Sequence, residues 1–339
     1  MRTEPMDSGI LVTSIGSMSA VSVLGALRAC TDARIVGSDI HPRAWVAASA
    51  LVDAFIALPP GQAADAYCEA LLAACLRERI GLVMPLTDPE VDVLAAHKAR
   101  FASRGVTICT SDGEAVALAR DKLALHARFA GDPRVATIPT VPLSQSSDLP
   151  AFPLLAKPRR GRSSQGQRVL HDAEDLASAR RHLDPVDYLL QPYHPGVVFV
   201  ADVVREPVTG AGHCLCREEL LRTANGAGTT VRVAVAPALE ALALHIAAML
   251  DLHGCSNIEF LRHEDRYLLM DVNPRFSAGV GFSVLAGYDM PAAHLACFTG
   301  RPLPPMRRMP RPRVFTRRAH EVELPGDRMP VFAPIHVLS

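Results

Sequence analysis

The chain has 339 residues, a length that suits two or three packed domains rather than one small core. It is 49% hydrophobic and 21% charged, as expected of an ordinary soluble globular protein. Acidic and basic residues balance at 35 each. This balance excludes the strongly charged surface that would make nucleic acid or an anionic membrane the main partner.

The start of the chain and its apolar runs predict a cytoplasmic protein. The opening MRTEPMD carries acidic residues and precedes only a short apolar stretch, which is no secretory signal. The longest helical apolar run, around Leu239 to Leu252, contains Glu240 and is too short to span a bilayer. The eight cysteines are scattered without a regular framework, so we expect them to be reduced.

The first 112 residues alternate predicted strands with predicted helices. We predict strands over 10–14, 34–39, 55–58, 82–85 and 106–109, with helices over 18–30 and 63–79. This strand–helix–strand rhythm predicts a parallel, doubly wound sheet.

The remainder of the chain has a different character. We predict a helix over 112–129, then antiparallel strands with turn-rich connections from 150 to 202. A helix over 238–252 leads into a hairpin with strands over 257–261 and 267–273, and a final strand is expected near 314–323.

The hairpin carries the strongest chemical signal. If its turn centres near 264–266, Glu259 lies almost opposite Asp271, with Asn273 on the same face as Asp271. Facing carboxylates about 5 Å apart repel each other, and a hard cation such as Mg²⁺ relieves that repulsion. The alternative is a solvated hairpin edge that is acidic by chance. The neighbouring Arg275 favours the metal site because it fixes a cation beside it.

A second signal is a lysine at the end of a strand. The apolar run 152–156 ends in Lys157, and a loop rich in small residues follows over 159–166. Such a loop can wrap a triphosphate with its backbone amides, although an ordinary surface turn is the alternative. The chain has only three lysines, Lys98, Lys122 and Lys157, whereas all its other Lys and Arg residues are arginines. A retained lysine therefore indicates a place where a compact ammonium meets phosphate.

A third segment, residues 188–196, is an apolar strand that exits into a short linker. A linker of this kind can present a backbone N–H and C=O to the edge of a purine, and an ordinary strand exit is the alternative.

Together these pieces resemble the ATP-grasp superfamily, especially the carbamoyl-phosphate synthase large chain and amino-acid ligases of similar architecture. The family's closing motif, an acidic residue followed by hydrophobic-Asn-Pro-Arg, stands here as Asp271-Val272-Asn273-Pro274-Arg275. The other matching motifs occur in the family's order between residues 10 and 300: Asp121-Lys122, Lys157 to Gly166, Gln191 to Tyr193, Asn257-Ile258-Glu259-Phe260, Phe276 to Gly279, and Ala286 to Asp289.

The resemblance implies an α/β protein with an N-terminal doubly wound parallel-sheet (pre-ATP-grasp) domain, followed by an ATP-grasp fold of two α+β lobes. The implied bounds are 9–112 for the N-terminal domain and 113–190 for the small lobe with its lid loop. The large lobe with the metal site spans 191–300, and a tail that packs on this lobe spans 301–339.

The resemblance also implies the chemistry. We expect an ADP-forming ligase that joins a small carboxylic acid to an amine through an acyl phosphate, with ATP and Mg²⁺ (or Mn²⁺) as cofactors and a homodimer as the assembly. The expected nucleotide contacts are Lys122, Lys157, Ser163, Ser164, Gly166, Gln191 and Tyr193. The expected metal ligands are Glu259, Asp271 and Asn273, and the expected catalytic groups are Arg275 and Lys157. The expected substrate contacts are Arg222, Gly16, Ser17, Asp88 and Glu90, although Arg222 can equally be a solvated arginine before a loop.

The sequence departs from the family pattern at two nucleotide positions. Val198 stands where a glutamate usually binds the ribose hydroxyls, and Gln191 stands where the linker usually has a glutamate. These departures leave room for a partly degenerate, non-catalytic nucleotide-binding regulator.

Two other reactions are alternatives to the ligase. Carboxyphosphate chemistry like that of carbamoyl-phosphate synthase is one, although that family doubles the ATP-grasp unit. A nicotinamide-dependent oxidoreductase is the other, with Asp39 as the ribose-binding acid. The turn after the first strand, Gly16-Ser17-Met18-Ser19-Ala20, lacks the further glycines that this second reaction requires.

Overall fold

The computed structural model describes residues 8–145, 151–162, 164–307, 309–319 and 321–324. Three sheets organise this part of the chain: a five-stranded N-terminal sheet, a four-stranded sheet and a seven-stranded sheet. The first is parallel, and the other two are built almost entirely from antiparallel pairs. This arrangement confirms the predicted fold class.

The N-terminal sheet has the strand order β3-β2-β1-β4-β5 and is parallel throughout. Its strands are β1 (Gly9–Val12), β2 (Ile35–Asp39), β3 (Ala54–Ala57), β4 (Ile80–Met84) and β5 (Thr107–Ile108). Its helices are α1 (Ala20–Cys30), α2 (Ala64–Glu78), α3 (Asp88–Ala96) and α4 (Lys98–Ala102), with 3₁₀ turns at Arg43–Trp45 and Ala47–Leu51. The continuous apolar strands are covered by helices, as in most parallel sheets.

The predicted single helix over 112–129 is wrong. The structure has two helices, α5 (Gly113–Arg120) and α6 (Lys122–Phe129), followed by the short strand β6 (Ala136–Thr137). Asp121 separates the helices because its backbone is extended and its side chain accepts hydrogen bonds from the N–H groups of Leu123 and Ala124. It is therefore the N-cap of α6.

The four-stranded sheet has the order β7-β10-β8-β9, all antiparallel. Its elements are β7 (Val141–Pro142), β8 (Leu154–Pro158), β9 (Arg168–Leu170), α7 (Ala173–His182) and β10 (Tyr188–Pro192). The inner face of β8, with Leu154 and Ala156, packs in one apolar cluster with Leu176 and Ala179 of α7.

The seven-stranded sheet has the order β16-β13-β12-β11-β14-β15-β6, and only β6 is parallel to its neighbour. Its other strands are β11 (Val197–Arg205), β12 (Gly212–Arg222), β13 (Gly228–Val233), β14 (Gly254–His263), β15 (Arg266–Asn273) and β16 (Arg313–Thr316). The associated helices are α8 (Pro237–Met249), α9 (Val280–Leu285) and α10 (Met290–Thr299).

The last strand is shorter than the predicted 314–323. β16 pairs with β13, and the N–H of Arg317 still donates to the carbonyl of Thr229. Pairing stops there because β13 begins at Gly228, directly after a turn. Among the helices in the described ranges, none combines the length and apolar character needed to cross a bilayer.

Candidate active site

The β14–β15 hairpin places two carboxylates face to face. Glu259 pairs in register with Asp271, and Asn257 pairs with Asn273, which confirms the predicted register. Burial raises the pKa of Glu259, and the nearby charge of Asp271 raises it further, while Arg222 opposes the shift. An added cation would relieve this strain, so the pair has the chemistry of a metal site.

Asn273, the third predicted metal ligand, is buried beside the same pair. Its Nδ2 lies 3.1 Å from Asn257 Oδ1 and 3.4 Å from Glu259 Oε1. Its side-chain Oδ1 accepts from Arg275 Nη2 at 3.4 Å. The amide thus lies beside the two carboxylates, with its NH2 group toward Glu259 and its oxygen toward Arg275.

Lys157 lies at the end of β8 with only 4% of its surface exposed. Within the described ranges, its ammonium makes no hydrogen bond and has no carboxylate within 4 Å. Burial lowers the pKa of Lys157 to about 8, partly offset by the more distant Asp271 and Glu259, while Lys122 lowers it further. A buried ammonium without a bonded partner is costly, and an anionic ligand would compensate it.

The second predicted phosphate lysine, Lys122, is the first residue of α6. Its Nζ lies 3.5 Å from Asp271 Oδ2 and donates to the carbonyl of Gly161 at 3.3 Å. Asp121, which caps the helix, also binds Arg159 at 2.8 Å. The cap therefore fixes Lys122 against both the hairpin and the base of the predicted lid loop.

Arg275 follows the hairpin and reaches the N-terminal domain. Its Nε and Nη2 donate to the two oxygens of Asp88 at 2.8 and 3.0 Å, and Arg120 lies 3.3 Å from the same carboxylate. Burial alone would raise the pKa of Asp88, but Arg275 and Arg120 outweigh it and hold this pKa below its usual value. Asp88 at the start of α3 thus orients Arg275.

Strand β12 contributes charged residues that the sequence analysis missed. Arg217 is almost fully buried, with its Nη1 2.6 Å from Asp202 and its Nη2 donating to Ser277 Oγ. Glu219, two residues on, shares the same face and binds Arg222 at 2.7 Å. The available signal was the run Arg217-Glu218-Glu219 after the apolar stretch Cys214 to Cys216, because strand alternation puts Arg217 and Glu219 on the face opposite to Glu218.

The predicted substrate residues of the N-terminal domain differ in their positions. Ser17, Asp88 and Glu90 line the cavity described below, whereas Gly16 does not and donates its N–H to Asp39 at 2.8 Å. Glu90 is held by Thr13, which donates to Oε2 at 2.8 Å. Asp39 is occupied by backbone groups, which removes the feature that favoured a nicotinamide site.

The predicted nucleotide contacts in the lid and the linker also differ in whether they line the cavity. Ser164 lines the cavity, Gly166 does not, and Ser163 lies outside the described residues. Gln191 is buried and donates to Thr140 Oγ1 at 2.7 Å, and the N–H of Tyr193 donates to the carbonyl of Pro153 at 2.9 Å. Their contacts with a nucleotide therefore stay a prediction.

Val198 takes part in apolar packing. It packs against a cluster of Ile138, Leu261 and Leu268 beside Met270, and Met270 itself lines the cavity. The position that usually carries a ribose-binding carboxylate is therefore apolar in this protein.

One cavity of about 520 Å³ joins these groups. Its walls come from the N-terminal domain, the loop after β8, strand β12 and the hairpin, and they include the following charged side chains: Asp88, Glu90, Lys122, Lys157, Arg162, Arg217, Glu219, Arg222, Glu259, Asp271 and Arg275. The volume and the balanced charges suit a polyanionic ligand bound together with a cation.

Comparison with protein families agrees with this geometry. Residues 184–321 match the model described as "ATP-grasp in the biosynthetic pathway with Ter operon". Residues 10–109 match the model described as "PylC-like, N-terminal domain". The chain therefore contains an ATP-grasp domain behind a PylC-like N-terminal domain.

Solved structures of ATP-grasp enzymes share the fold of this chain. Biotin carboxylase from Campylobacter jejuni, in complex with β-γ-ATP, is 15% identical with a TM-score of 0.71, over 87% of this chain and 72% of that one. N5-carboxyaminoimidazole synthetase from Staphylococcus aureus, complexed with ADP, is 14% identical with a TM-score of 0.71, over 93% and 83%.

A third similar structure contains a metal as well as nucleotide. The biotin carboxylase domain dimer of the Hydrogenobacter thermophilus 2-oxoglutarate carboxylase, with MgADP, ADP and bicarbonate, is 16% identical with a TM-score of 0.72, over 90% and 73%. No curated protein matches the chain significantly by sequence. At these identities the likeness carries the fold and leaves the substrates open.

Proposed function

We propose that this ATP-grasp protein is an ADP-forming carboxylate–amine ligase that works through an acyl phosphate. The observation that carries the proposal is that Lys157, buried and without a bonded partner among the described residues, lines the same cavity as the facing carboxylates of Glu259 and Asp271. An ammonium and a site for a divalent cation in one cavity are what a triphosphate requires.

The residues fit a magnesium ion. Glu259 and Asp271 supply facing carboxylates and Asn273 supplies an amide, which are the hard ligands that Mg²⁺ takes together with phosphate oxygens. When bound there, magnesium would neutralise charge on the β- and γ-phosphates. The solved neighbours complexed with ADP or MgADP support the same nucleotide and ion.

The proposed reaction has two steps. A carboxylate oxygen of the acid attacks the γ-phosphorus of ATP, the bond from that phosphorus to the β–γ bridging oxygen breaks, and ADP leaves. The amine nitrogen then attacks the acyl carbon, the bond from that carbon to the phosphate oxygen breaks, and phosphate leaves as the nitrogen loses a proton. Little covalent participation by the protein is needed, so positioning and charge dominate.

The chain supplies fixed charge for both steps. Lys122 and Lys157 neutralise the phosphate tail, and Arg275, held by Asp88, stabilises negative charge on the transferred phosphoryl group and on the tetrahedral intermediate. Because Asp121 and Asp88 hold these groups in place, they need not reorganise as the reaction proceeds.

The loop after β8 serves as a lid. Gly161, Arg162 and Ser164 line the cavity, and the carbonyl of Gly161 accepts from Lys122. Closure of this loop over the phosphates excludes the water that would hydrolyse an acyl phosphate.

The test is ADP release from the full chain with ATP and Mg²⁺ across a panel of paired carboxylic acids and amines. We expect ADP release that depends on the acid, and a condensation product by mass spectrometry when a matching amine is present. If the protein binds the nucleotide but releases no ADP across the panel, the ligase proposal is wrong, and the non-catalytic regulator, with Val198 as its sequence feature, takes its place.

A second candidate is carboxyphosphate formation from bicarbonate. The Hydrogenobacter thermophilus neighbour was crystallised with bicarbonate and MgADP, which favours testing this acid first. ADP release with bicarbonate alone, unaffected by other acids, would favour this candidate over amide formation. Homodimerisation stays a prediction, to be measured by light scattering of the purified chain.

A further inference from the structure

Arg222 spans two carboxylates at the edge of the candidate metal site. Its Nε lies 2.7 Å from Glu219 Oε2, and its Nη2 donates to Glu259 Oε2 at 3.1 Å. Its own side chain is 27% exposed, so it lies on the cavity wall.

The two carboxylates need this compensation. The side chain of Glu219 is 4% exposed and that of Glu259 is 22% exposed, so both carboxylates are largely removed from water. An uncompensated buried carboxylate is strongly unfavourable. Without a bound cation, Arg222 therefore supplies a positive charge in direct contact with Glu259.

The two ends of the Arg222 contact differ in how firmly they are held. Glu219 is fixed from behind by Arg217, whose Nε lies 3.7 Å from Glu219 Oε1 and whose Nη1 is 2.6 Å from Asp202. Glu259 faces the carboxylate of Asp271 and receives a long contact, 3.4 Å, from Asn273 Nδ2. The 2.7 Å ion pair with Glu219 keeps Arg222 on the cavity wall, and the hydrogen bond from Nη2 to Glu259, a carboxylate that faces a second carboxylate, is the contact that a cation can replace.

We propose that Arg222 is a displaceable counter-cation: it neutralises Glu259 in the empty enzyme and leaves that carboxylate when a divalent ion binds at Glu259 and Asp271. This inference rests on the proposed function, because it takes the hairpin carboxylates as metal ligands. The released guanidinium stays on the cavity wall, so loading of the metal makes an arginine available to the carboxylate of the acid substrate.

The test is calorimetric titration of Mg²⁺ into the full chain saturated with a non-hydrolysable ATP analogue. The variants are Arg222→Gln, Arg222→Lys and the control Arg232→Gln. Arg232 lies on the neighbouring strand β13 and pairs with Glu218 at an exposed position. Lysine keeps the charge at position 222, but its single nitrogen cannot span both carboxylates as the guanidinium does.

We expect Arg222→Gln to bind Mg²⁺ about tenfold more tightly than wild type, Arg222→Lys several-fold more tightly, and Arg232→Gln unchanged. Equal or weaker binding by Arg222→Gln overturns the inference. A gain in the lysine variant that equals or exceeds the gain in the glutamine variant also overturns it, because removal of the positive charge would then not be what tightens Mg²⁺ binding. If wild type binds neither Mg²⁺ nor the analogue, the proposed function itself fails.

A measurement on the wild-type protein covers the case in which the variants do not fold. Phenylglyoxal modification of Arg222, followed by mass spectrometry, is compared between analogue alone and analogue with Mg²⁺, with Arg232 as internal reference. We expect modification of Arg222 to rise several-fold with Mg²⁺. Unchanged or reduced modification while Mg²⁺ binds would overturn the displacement.

Discussion

The ammonium group of Lys157 is buried, and none of the described residues provides it with a bonded counter-ion. Its burial lowers its pKa to about 8, which is the behaviour of an ammonium that has lost water without gaining a partner. In a protein of 32 arginines and three lysines, this position has kept the smaller cation. Both facts are explained if a phosphate group occupies the space in front of it.

Lys157→Met should separate activity from stability. We expect ADP release to fall by about 10²–10³-fold, the size typical of a lost preorganised charge. The free energy of unfolding should stay equal or rise, because the variant no longer buries an uncompensated charge. The control is Lys98→Met, since Lys98 pairs with Asp112 away from the cavity. Unchanged turnover in Lys157→Met would remove this lysine from the site.

Asp271→Asn tests the metal pair with little change in shape. The variant keeps the side-chain size but removes one of two facing carboxylates, so Mg²⁺ should bind at least tenfold more weakly in calorimetry. The pKa of Glu259 should also fall, because the charge of Asp271 helps to raise it. Unaltered Mg²⁺ affinity would mean that the ion binds elsewhere.

The facing positions of Glu259 and Asp271 could be predicted from the sequence, but the contacts of Arg222 could not. Glu259 and Asp271 belong to one hairpin with a short turn, so strand alternation fixes their register locally. Arg222 reaches Glu259 from β12, across β11, and that pairing depends on long-range packing. For the same reason the ion pair between Arg275 and Asp88, 187 residues apart, was not predictable.

At the level of elements, Asp121 separates two helices that the sequence pattern predicted as one. It also has two functions. It caps α6 through the N–H groups of Leu123 and Ala124, and it binds Arg159 beside the lid. Apolar periodicity runs through residues 112–129 without a break, so it gave no sign of the cap. The strands of the N-terminal sheet, by contrast, were predicted to within a few residues because each is a short apolar run.

Asp121→Ala should lower the free energy of unfolding by about 1–2 kcal/mol, the usual loss for an N-cap residue. It should also raise the KM for ATP, because Lys122 is the first residue of the helix that loses its cap. Asp121→Asn is the matched control: asparagine caps equally well but gives up the charge that binds Arg159. Chemical denaturation and steady-state kinetics measure the two effects. A destabilised alanine variant with an unchanged KM would argue against positioning of Lys122 by the cap.

At the level of the whole molecule, a few polar contacts join the N-terminal domain to the large lobe across the cavity. Arg275 binds Asp88, and the ring of His294 on α10 bridges the two domains. Its Nδ1 accepts from the N–H of Cys255 at 2.8 Å, and its Nε2 lies 3.1 Å from the carbonyl oxygen of Cys109. Because the N–H of Cys255 can only donate and the carbonyl of Cys109 can only accept, His294 is neutral with its proton on Nε2.

His294 should make the stability of the protein depend on pH. Burial lowers the pKa of His294 to about 4, from an ordinary value of 6.5. The unfolded chain therefore takes up a proton below about pH 6.5 while the folded protein does not. The free energy of unfolding should thus fall as the pH drops from 6.5 to 4, by up to about 3 kcal/mol from this residue.

The matched variants for this prediction are His294→Gln, which keeps a donor and an acceptor but cannot titrate, and His171→Gln at an exposed position. Urea denaturation from pH 7 to pH 4.5 should show a shallower decline for His294→Gln, and a wild-type decline for His171→Gln. Parallel declines in all three proteins would contradict the neutral bridge.

The account as a whole depends on a triphosphate held between Lys157, Lys122 and the hairpin carboxylates. The most direct measurement is calorimetric titration of a non-hydrolysable ATP analogue into the wild-type chain, with millimolar Mg²⁺ and again with a chelator. We predict saturable binding at one site with Mg²⁺, and affinity at least tenfold weaker without it. No binding of any purine triphosphate at millimolar Mg²⁺ would contradict the nucleotide site and the ligase function built on it.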